Sequence, residues 1–375
     1  MSRLSKILFI LAVIVALGVI GYFIYIRFFA SALPDGSLSP AAANDIPVDA
    51  KLPVVLKQLS AQPALRYWVN QKTNALYYAS PDGKIYKTFG DGRDEAVSEQ
   101  TLADLHDVTP SPDGARALAS FNYPLRETFA LFDTTTNSWE RLPEDVVAAA
   151  FDPGSQKLAY LKNGLSSGLY VVTLGDRKTT QVLPLAVADG ILAWQTANEL
   201  LLFSRPTSRV RSEIFLIDLA KKIVRPIDDA NSAMYAFLST DLGLRFVVAG
   251  RADFELQLMD GTGRALNALP FLTLPSKCAV NATVLYCAIP ASFPLRSELP
   301  DDYLKEKFFT QDSFVSYDIP TGATTLLPEI AAVVDADQLL VQDNKILFRN
   351  RIDEKVYSFE FRARATEESA ESVGQ

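Results

Sequence analysis

Two series of polar turns run through this chain at a single period. In one, a turn separates a strand-like run from a second run closing on Leu-Pro or a similar pair, as in FALFDTTTNSWERLP, YVVTLGDRKTTQVLP and FVSYDIPTGATTLLP. The turn starts Asp133, Gly175, Asp218, Asp260 and Asp318 are separated by 42, 43, 42 and 58 residues, and Asp91 and Glu360 stand 42 outside them at either end. The second series is QKTN (71–74), SPDG (111–114), DPGS (152–155), QTAN (195–198), STDLG (239–243), VNAT (280–283) and DADQ (335–338). Two series with one period mean two hairpins per unit, so each unit is a four-stranded antiparallel sheet. A sheet of that size repeated every ~40–45 residues predicts an all-β propeller, in which radial packing buries both faces of each blade. Seven units fill residues 62–363; a six-bladed ring would require the first or last unit to be linker. LPVVLKQLS (52–60) is expected to add an outer strand to the last blade, giving a propeller over 52–363 and an acidic tail over 364–375. Tandem β-sandwiches would instead show ~100-residue domains with Cys…Trp…Cys cores.

Ile7 to Ile26 is a run of twenty residues without charge, proline or amide. About 20 helical residues cross a ~30 Å hydrocarbon core, and a helix satisfies its own backbone there. This predicts one N-terminal transmembrane helix over 7–26, a cytoplasmic segment over 1–6 and a stalk over 27–51. Arg3 and Lys6 before the run, against Asp35, Asp45 and Asp49 after it, place the propeller outside the cytoplasm by the positive-inside rule. A cleaved signal peptide is the rival reading, with Ala30-Ser31-Ala32 as its site, but the run exceeds the usual h-region. Whether the helix is retained or removed, the exported part carries 33 Lys and Arg against 44 Asp and Glu, a net charge of −11. Such a surface disfavours nucleic acid and is repelled by anionic headgroups.

The stretches LYYASPDG (76–83), PSPDGARALA (110–119) and FDPGSQKLAY (151–160) carry a further signal. They resemble the S-P-D-G-x-x-L-A-Y signature of WD-like propellers, a group that includes the periplasmic propeller of the Tol system and the N-terminal propellers of dipeptidyl and prolyl peptidases. With the anchor, the chain looks like the single-span, membrane-anchored propellers of bacterial envelopes. The resemblance implies fold and leaves function open.

The sixth unit departs from the period. Cys278 and Cys287 lie symmetrically about the VNAT turn, and residues equidistant from a hairpin turn face each other. Two cysteines so placed in an exported domain favour a disulfide over a pair of small buried side chains. The same unit holds the one long insertion, 291–313, in which Pro300-Asp301-Asp302-Tyr303 starts a short helix. A long loop on a rigid scaffold serves either recognition, with these four residues as the candidate binding set, or packing between blades.

Catalytic signals are weak. The only histidine, His106, lies beside Asp104 and Asp107 without a nucleophile elbow, and is expected to make an inter-blade hydrogen bond. Trp68, Trp139 and Trp194 fall in different blades and are expected to pack. No catalytic residue, cofactor or metal is assigned. Two readings follow. A tethered, non-enzymatic platform for an envelope protein, peptide or polymer requires an exposed apolar patch on the face bearing the insertion. A propeller hydrolase or lyase requires carboxylates, such as Asp301 and Asp302, converging on the central funnel.

Overall fold

The computed structural model describes residues 54–123, 126–209, 213–227, 232–239, 241–248 and 254–361. The expected membrane helix over 7–26, the segments flanking it and the acidic tail lie outside these residues. Among the described residues no helix is long and apolar enough to cross a membrane.

Seven four-stranded antiparallel sheets follow one another along the chain. Blade 1 holds β2 (Arg66–Asn70), β3 (Ala75–Ala79), β4 (Ile85–Thr88) and β5 (Asp94–Ala96). Blade 2 comprises β6 (Leu105–Pro110), β7 (Arg116–Phe121), β8 (Thr128–Asp133) and β9 (Ser138–Arg141). Blade 3 contains β10 (Val146–Phe151), β11 (Lys157–Lys162), β12 (Gly168–Thr173) and β13 (Thr179–Leu183). In blade 4 come β14 (Ile191–Thr196), β15 (Glu199–Phe203), β16 (Ile214–Asp218) and β17 (Ile223–Ile227). Blade 5 is β18 (Ser232–Phe237), β19 (Leu242–Val248), β20 (Phe254–Asp260) and β21 (Ala265–Ala268). Blade 6 is β22 (Cys278–Asn281), β23 (Val284–Pro290), β24 (Asp312–Asp318) and β25 (Thr324–Leu326). Blade 7 takes β26 (Ala336–Gln342), β27 (Lys345–Asn350) and β28 (Lys355–Glu360) from the C-terminal end and β1 (Lys57–Gln58) from the N-terminal end.

Burial explains the composition of each strand. Second strands are covered on both faces by neighbouring blades, so KLAYLK in β11, ELLLF in β15 and KILFRN in β27 read as near-continuous apolar runs and are buried. Fourth strands lie on the rim, so SWER in β9 and ALNA in β21 are largely exposed. Pro226 is tolerated because β17 is such an outer edge strand.

The ring closes where β1 pairs with β28, Lys57 opposite Ser358 and Gln58 opposite Tyr357. The expected outer strand over 52–60 is therefore present, though only two residues long. Its short ladder is extended by Leu59 N–H to Val356 O (2.8 Å) and Ala64 N–H to Glu354 O (2.7 Å). Arg349 Nε donates to Ala64 O (2.6 Å), and Leu59, Tyr67, Tyr78, Leu347 and Val356 form one core across the seam.

Strands alternate in direction, so each blade has two ends. The first and third hairpins form one face of the ring, the turn face. The loops between second and third strands, with the inter-blade connections, form the other, the connector face. Most turns of the sequence repeat fall where expected, with one correction: DADQ (335–338) is not a hairpin. It opens β26, whose register shifts between Asp337 and Leu340, and the turn is Asp343-Asn344. The two SPDG turns also differ in place, Ser80–Gly83 on the connector face and Ser111–Gly114 on the turn face. Their glycines serve the same need. Gly114 has φ +67°, and a Cβ there would stand 2.1 Å from Val69 O in blade 1. Gly114→Ala is expected to cost about 2–4 kcal/mol through strain and overlap, read as a lowered denaturation midpoint. An unchanged midpoint would mean that blades 1 and 2 do not meet as closely as described.

Candidate functional site

The insertion in blade 6 spans the loop between β23 and β24, on the connector face. Pro300 caps a single helical turn, α1 (Asp301–Leu304), as its sequence predicts. The four candidate residues do not act as one exposed set. Tyr303 is buried among Ala233, Met234, Phe246, Leu274 and Leu299, so the turn packs down onto blade 5. Asp301 accepts a hydrogen bond from the Ser208 backbone N–H in blade 4 and pairs with Lys305 (3.1 Å). Burial acts to raise the Asp301 pKa, but the Ser208 and Lys305 bonds outweigh it and hold the carboxyl below its ordinary value. Asp302 is held low chiefly by Lys307, at 2.6 Å. Neither carboxylate borders the axial cavity, contrary to the funnel placement that a hydrolase requires of them.

Beneath α1 lies a network that joins blades 6 and 7. Lys277, in a 3-10 turn before β22, has no solvent-exposed surface. Its Nζ donates to Asp312 Oδ2 (2.6 Å), Asp335 Oδ1 (2.6 Å), Thr310 Oγ1 (3.1 Å) and Ala336 O (3.0 Å). On the far side Arg351 donates to Asp335 Oδ2 (2.8 Å) and to Tyr303 O (2.6 Å), its guanidinium 3.6 Å from the centre of the Tyr303 ring. Tyr303 Oη donates to Asp335 Oδ1 (3.0 Å). Two cations face two carboxylates, so the buried charge is balanced and its polar atoms are bonded, the condition under which such a group is tolerable. Burial raises the Asp312 pKa despite Lys277. Burial also acts to raise Asp335, but Lys277 and Arg351 outweigh it and lower its pKa. The sequence hides this network because its members are 74 residues apart at the extremes. The available signal was charge beside apolar runs, Lys277 before Cys-Ala-Val and Asp335 after Ala-Val-Val.

The outward side of the network is apolar. Leu304 adjoins Tyr303, Phe309 adjoins Thr310, Ile352 adjoins Arg351, and Val333 lies two residues before Asp335. These four side chains are 45%, 50%, 45% and 61% exposed. Leu295, on the same insertion, is also exposed. Twelve large hydrophobic side chains are exposed among the described residues, and seven of them, these five with Tyr123 and Leu165, fall on the connector face. That face is therefore the apolar one.

A cavity of about 920 Å³ follows the ring axis, bordered mainly by the first strands of blades 1 to 4 and 7. On the connector face Arg66 meets Asp107 (3.3 Å), and Arg205 of blade 4 bridges to Glu127 of blade 2 (2.5 Å) and to Asp189 (2.8 Å). Burial works against charge on Arg205, but its bonds to Asp189 and Glu127 hold the pKa above its ordinary value. Tyr123 lies between the Arg205 guanidinium (5.4 Å) and the His106 ring (4.2 Å). His106 is thus exposed and stacked within its own blade; among the described residues its side chain makes no hydrogen bond, which corrects the inter-blade role expected of it. No three His, Cys, Asp or Glu side chains converge as a metal set among the described residues. Trp68 and Trp194 are buried beside the cavity and Trp139 packs on Phe132, so the tryptophans are packing residues.

Cys278 and Cys287 are direct register partners in β22 and β23 and form a disulfide, both side chains buried.

No protein-family model matches the chain, and no curated protein sequence does. Solved structures do match in fold. The WD40 repeats of RRP9 are 11% identical, with 85% of this chain and 100% of that one covered and a TM-score of 0.55. An oligogalacturonate lyase in complex with manganese is 10% identical, covering 82% and 91%, with a TM-score of 0.54. Against the tricorn protease the identity is 9% and the TM-score 0.48, with 84% of this chain covered; the chain spans 34% of that protein's length. The chain is a seven-bladed β-propeller. At such identities the likeness is one of fold, and it includes both a WD40-repeat propeller and an enzyme.

Lys277→Met leaves Asp312 and Asp335 without their shared cation and is expected to cost about 3–5 kcal/mol at neutral pH. The sign of its pH dependence is diagnostic. In the native chain Asp335, with its lowered pKa, contributes stability at neutral pH that is lost as pH falls; Asp312, with its raised pKa, opposes it. In the variant, the two carboxylates raise each other, so thermal stability should recover on mild acidification as one takes up a proton. Loss that is independent of pH would show that the carboxylates do not share one site.

Proposed function

We propose that this chain is a membrane-tethered propeller outside the cytoplasm whose connector face, at the junction of blades 6 and 7, docks a partner protein. One observation carries the reading: Leu304, Phe309, Val333 and Ile352 are exposed directly above a fully buried ion network. Exposed apolar side chains on a rigid base lose little conformational entropy on burial, which is what the centre of an interface requires. Mobile loops would lack that advantage.

The C-terminal end of the described propeller leaves this face free. From Lys57 the chain runs toward Glu354 on the connector side, so it enters the ring from the turn side. At the other end Phe361 N–H bonds to Asn344 O in a turn-face hairpin. The described N-terminal end does not leave it so: Val54 N–H bonds to Glu329 O (2.9 Å) in the connection between blades 6 and 7. Location is supported by the apolar run Ile7–Ile26 with its flanking charges, and by a disulfide of the kind that persists in oxidising compartments. The polymer and enzyme readings lack a comparable observation, since Asp301 is engaged by Ser208 of blade 4 and by Lys305, and Asp302 by Lys307.

Two experiments test the proposal. A photo-crosslinking residue at Leu304 or Val333 is expected to give a discrete protein adduct in intact cells, and the same residue at Asp176 on the turn face is not. Equal labelling from both faces, or none from the patch, would overturn it. Protease added outside cells whose outer barrier has been opened is expected to remove an epitope placed at Gln375; protection with an intact inner membrane would refute the topology.

A further inference from the structure

We infer that the axial cavity binds an uncharged oligosaccharide, gripped at the turn-face end by side-chain amides. The site is separate from the connector-face patch and stands whether or not that patch docks a protein.

Gln195 carries the inference furthest. It stands near the turn-face end of β14, at the residue skipped where the register shifts between Trp194 and Thr196. A bulge of this kind re-aims a side chain, and this residue borders the cavity. Gln195 is 3% exposed, yet neither end of its side-chain amide has a hydrogen-bond partner among the described residues. A bare buried amide is costly, and a bound molecule that meets both its ends removes the cost.

Other amides gather at the same end. Gln342 of blade 7 donates to Asn74 of blade 1, and Gln71 donates to Pro112 O (2.7 Å). Each bond uses one end of its amides. Asn74 Nδ2, Gln342 Oε1 and Gln71 Oε1 are left without a protein partner among the described residues. Toward the connector end Gln338, at the bulge of β26, donates to Leu65 O (2.9 Å), and its Oε1 is likewise unpartnered.

Charge narrows the class of ligand. Four residues bordering the cavity are charged, and they pair: Arg66 with Asp107 (3.3 Å) and Arg205 with Glu127 (2.5 Å). All four stand in its connector half; the turn-face end is bordered by uncharged residues alone. An ion bound there would meet no free counter-charge, and an apolar molecule would bury the amides unbonded. A sugar hydroxyl both donates and accepts, so a ring of hydroxyls meets amide oxygens and nitrogens alike. Between the two ends the wall includes Val69, Ala149 and Ala193, half-buried short side chains that suit the C–H faces of a sugar ring. Thr109, exposed on β6, adds a hydroxyl. At about 920 Å³ the cavity lies toward the top of the ~300–1,000 Å³ range of small-molecule sites, with room for more than one ring.

The test titrates the full chain by calorimetry. Its uncharged probes are maltotriose, cellotriose and triacetylchitotriose, and its charged ones are trigalacturonate and deacetylated chitotriose. An acetylated and amidated Ser-Ala-Ser peptide represents the other class of uncharged ligand. At least one uncharged trisaccharide is expected to bind about ten-fold or more tighter than either charged one, with little dependence on salt. Gln195→Leu should weaken that binding about ten-fold. The thermal midpoint of the unliganded variant should hold or rise, because the substitution removes no bond within the protein. Thr109→Val, at an exposed position, should weaken binding several-fold without touching the core. Binding that survives both substitutions lies elsewhere and overturns the site. Preference for a charged trisaccharide or for the peptide overturns the ligand class. Absence of binding by every uncharged trisaccharide at about 10 mM overturns the inference outright.

Discussion

Closing the ring is the constraint on which everything else in this molecule depends. A four-stranded blade from this repeat is apolar on both faces, so none is stable without a neighbour on each side. Blade 7 receives only three strands from its own repeat and must borrow β1 from the other end of the chain. Two ladder pairs look too few for that duty. The work is shared by Leu59 and Ala64 backbone bonds, by Arg349 on Ala64 O, and by the core of Tyr67, Tyr78 and Val356. The two ends of the described propeller thus meet in one sheet, and every connector loop acquires a fixed place on one face.

The adjoining blade junction is fixed differently. Between blades 6 and 7 the chain buries Lys277, Asp312, Asp335 and Arg351 instead of apolar side chains alone. A network of this kind contributes specificity more than stability, because each carboxylate accepts only a particular arrangement of donors. Here that arrangement includes Tyr303 and Thr310 of the insertion, so the insertion is locked to the ring by the same groups that align the blades. Leu299 and Tyr303, with Phe293 and Phe308 beside them, pack onto blade 5, which leaves Leu295, Leu304 and Phe309 outward. The two expectations for a loop of this length, recognition and packing, are met by different residues: Asp301 and Tyr303 pack, while Leu304 and Phe309 are left to solvent.

Blade count, strand order, the closing strand and the cysteine pair were all legible in the sequence, since each depends on local turn chemistry recurring at a period. The Cys278–Cys287 pairing needed only symmetry about VNAT. DADQ misled because its polar composition suits a turn, yet Asp335 serves the buried network and Gln338, with φ +54°, lies at a bulge. The channel placement of Asp301 and Asp302 failed for a related reason. Composition reports that an acid is present, but only tertiary contact shows that Ser208, Lys305 and Lys307 have claimed it. His106 likewise found a ring to stack on where a hydrogen bond was expected, because Tyr123 reaches it from a loop 17 residues away.

The central claim is that the connector face at blades 6 and 7 is covered by protein in the native setting. Hydrogen exchange compares the full chain in fractions of the cells that produce it with the same chain after purification. Coverage predicts that amides of 304–309, 331–333 and 351–353 exchange more slowly in the cell fractions, while those of the hairpins at 135–137 and 176–178 are unchanged. Equal exchange in both settings, or slowing confined to the turn face, would contradict it.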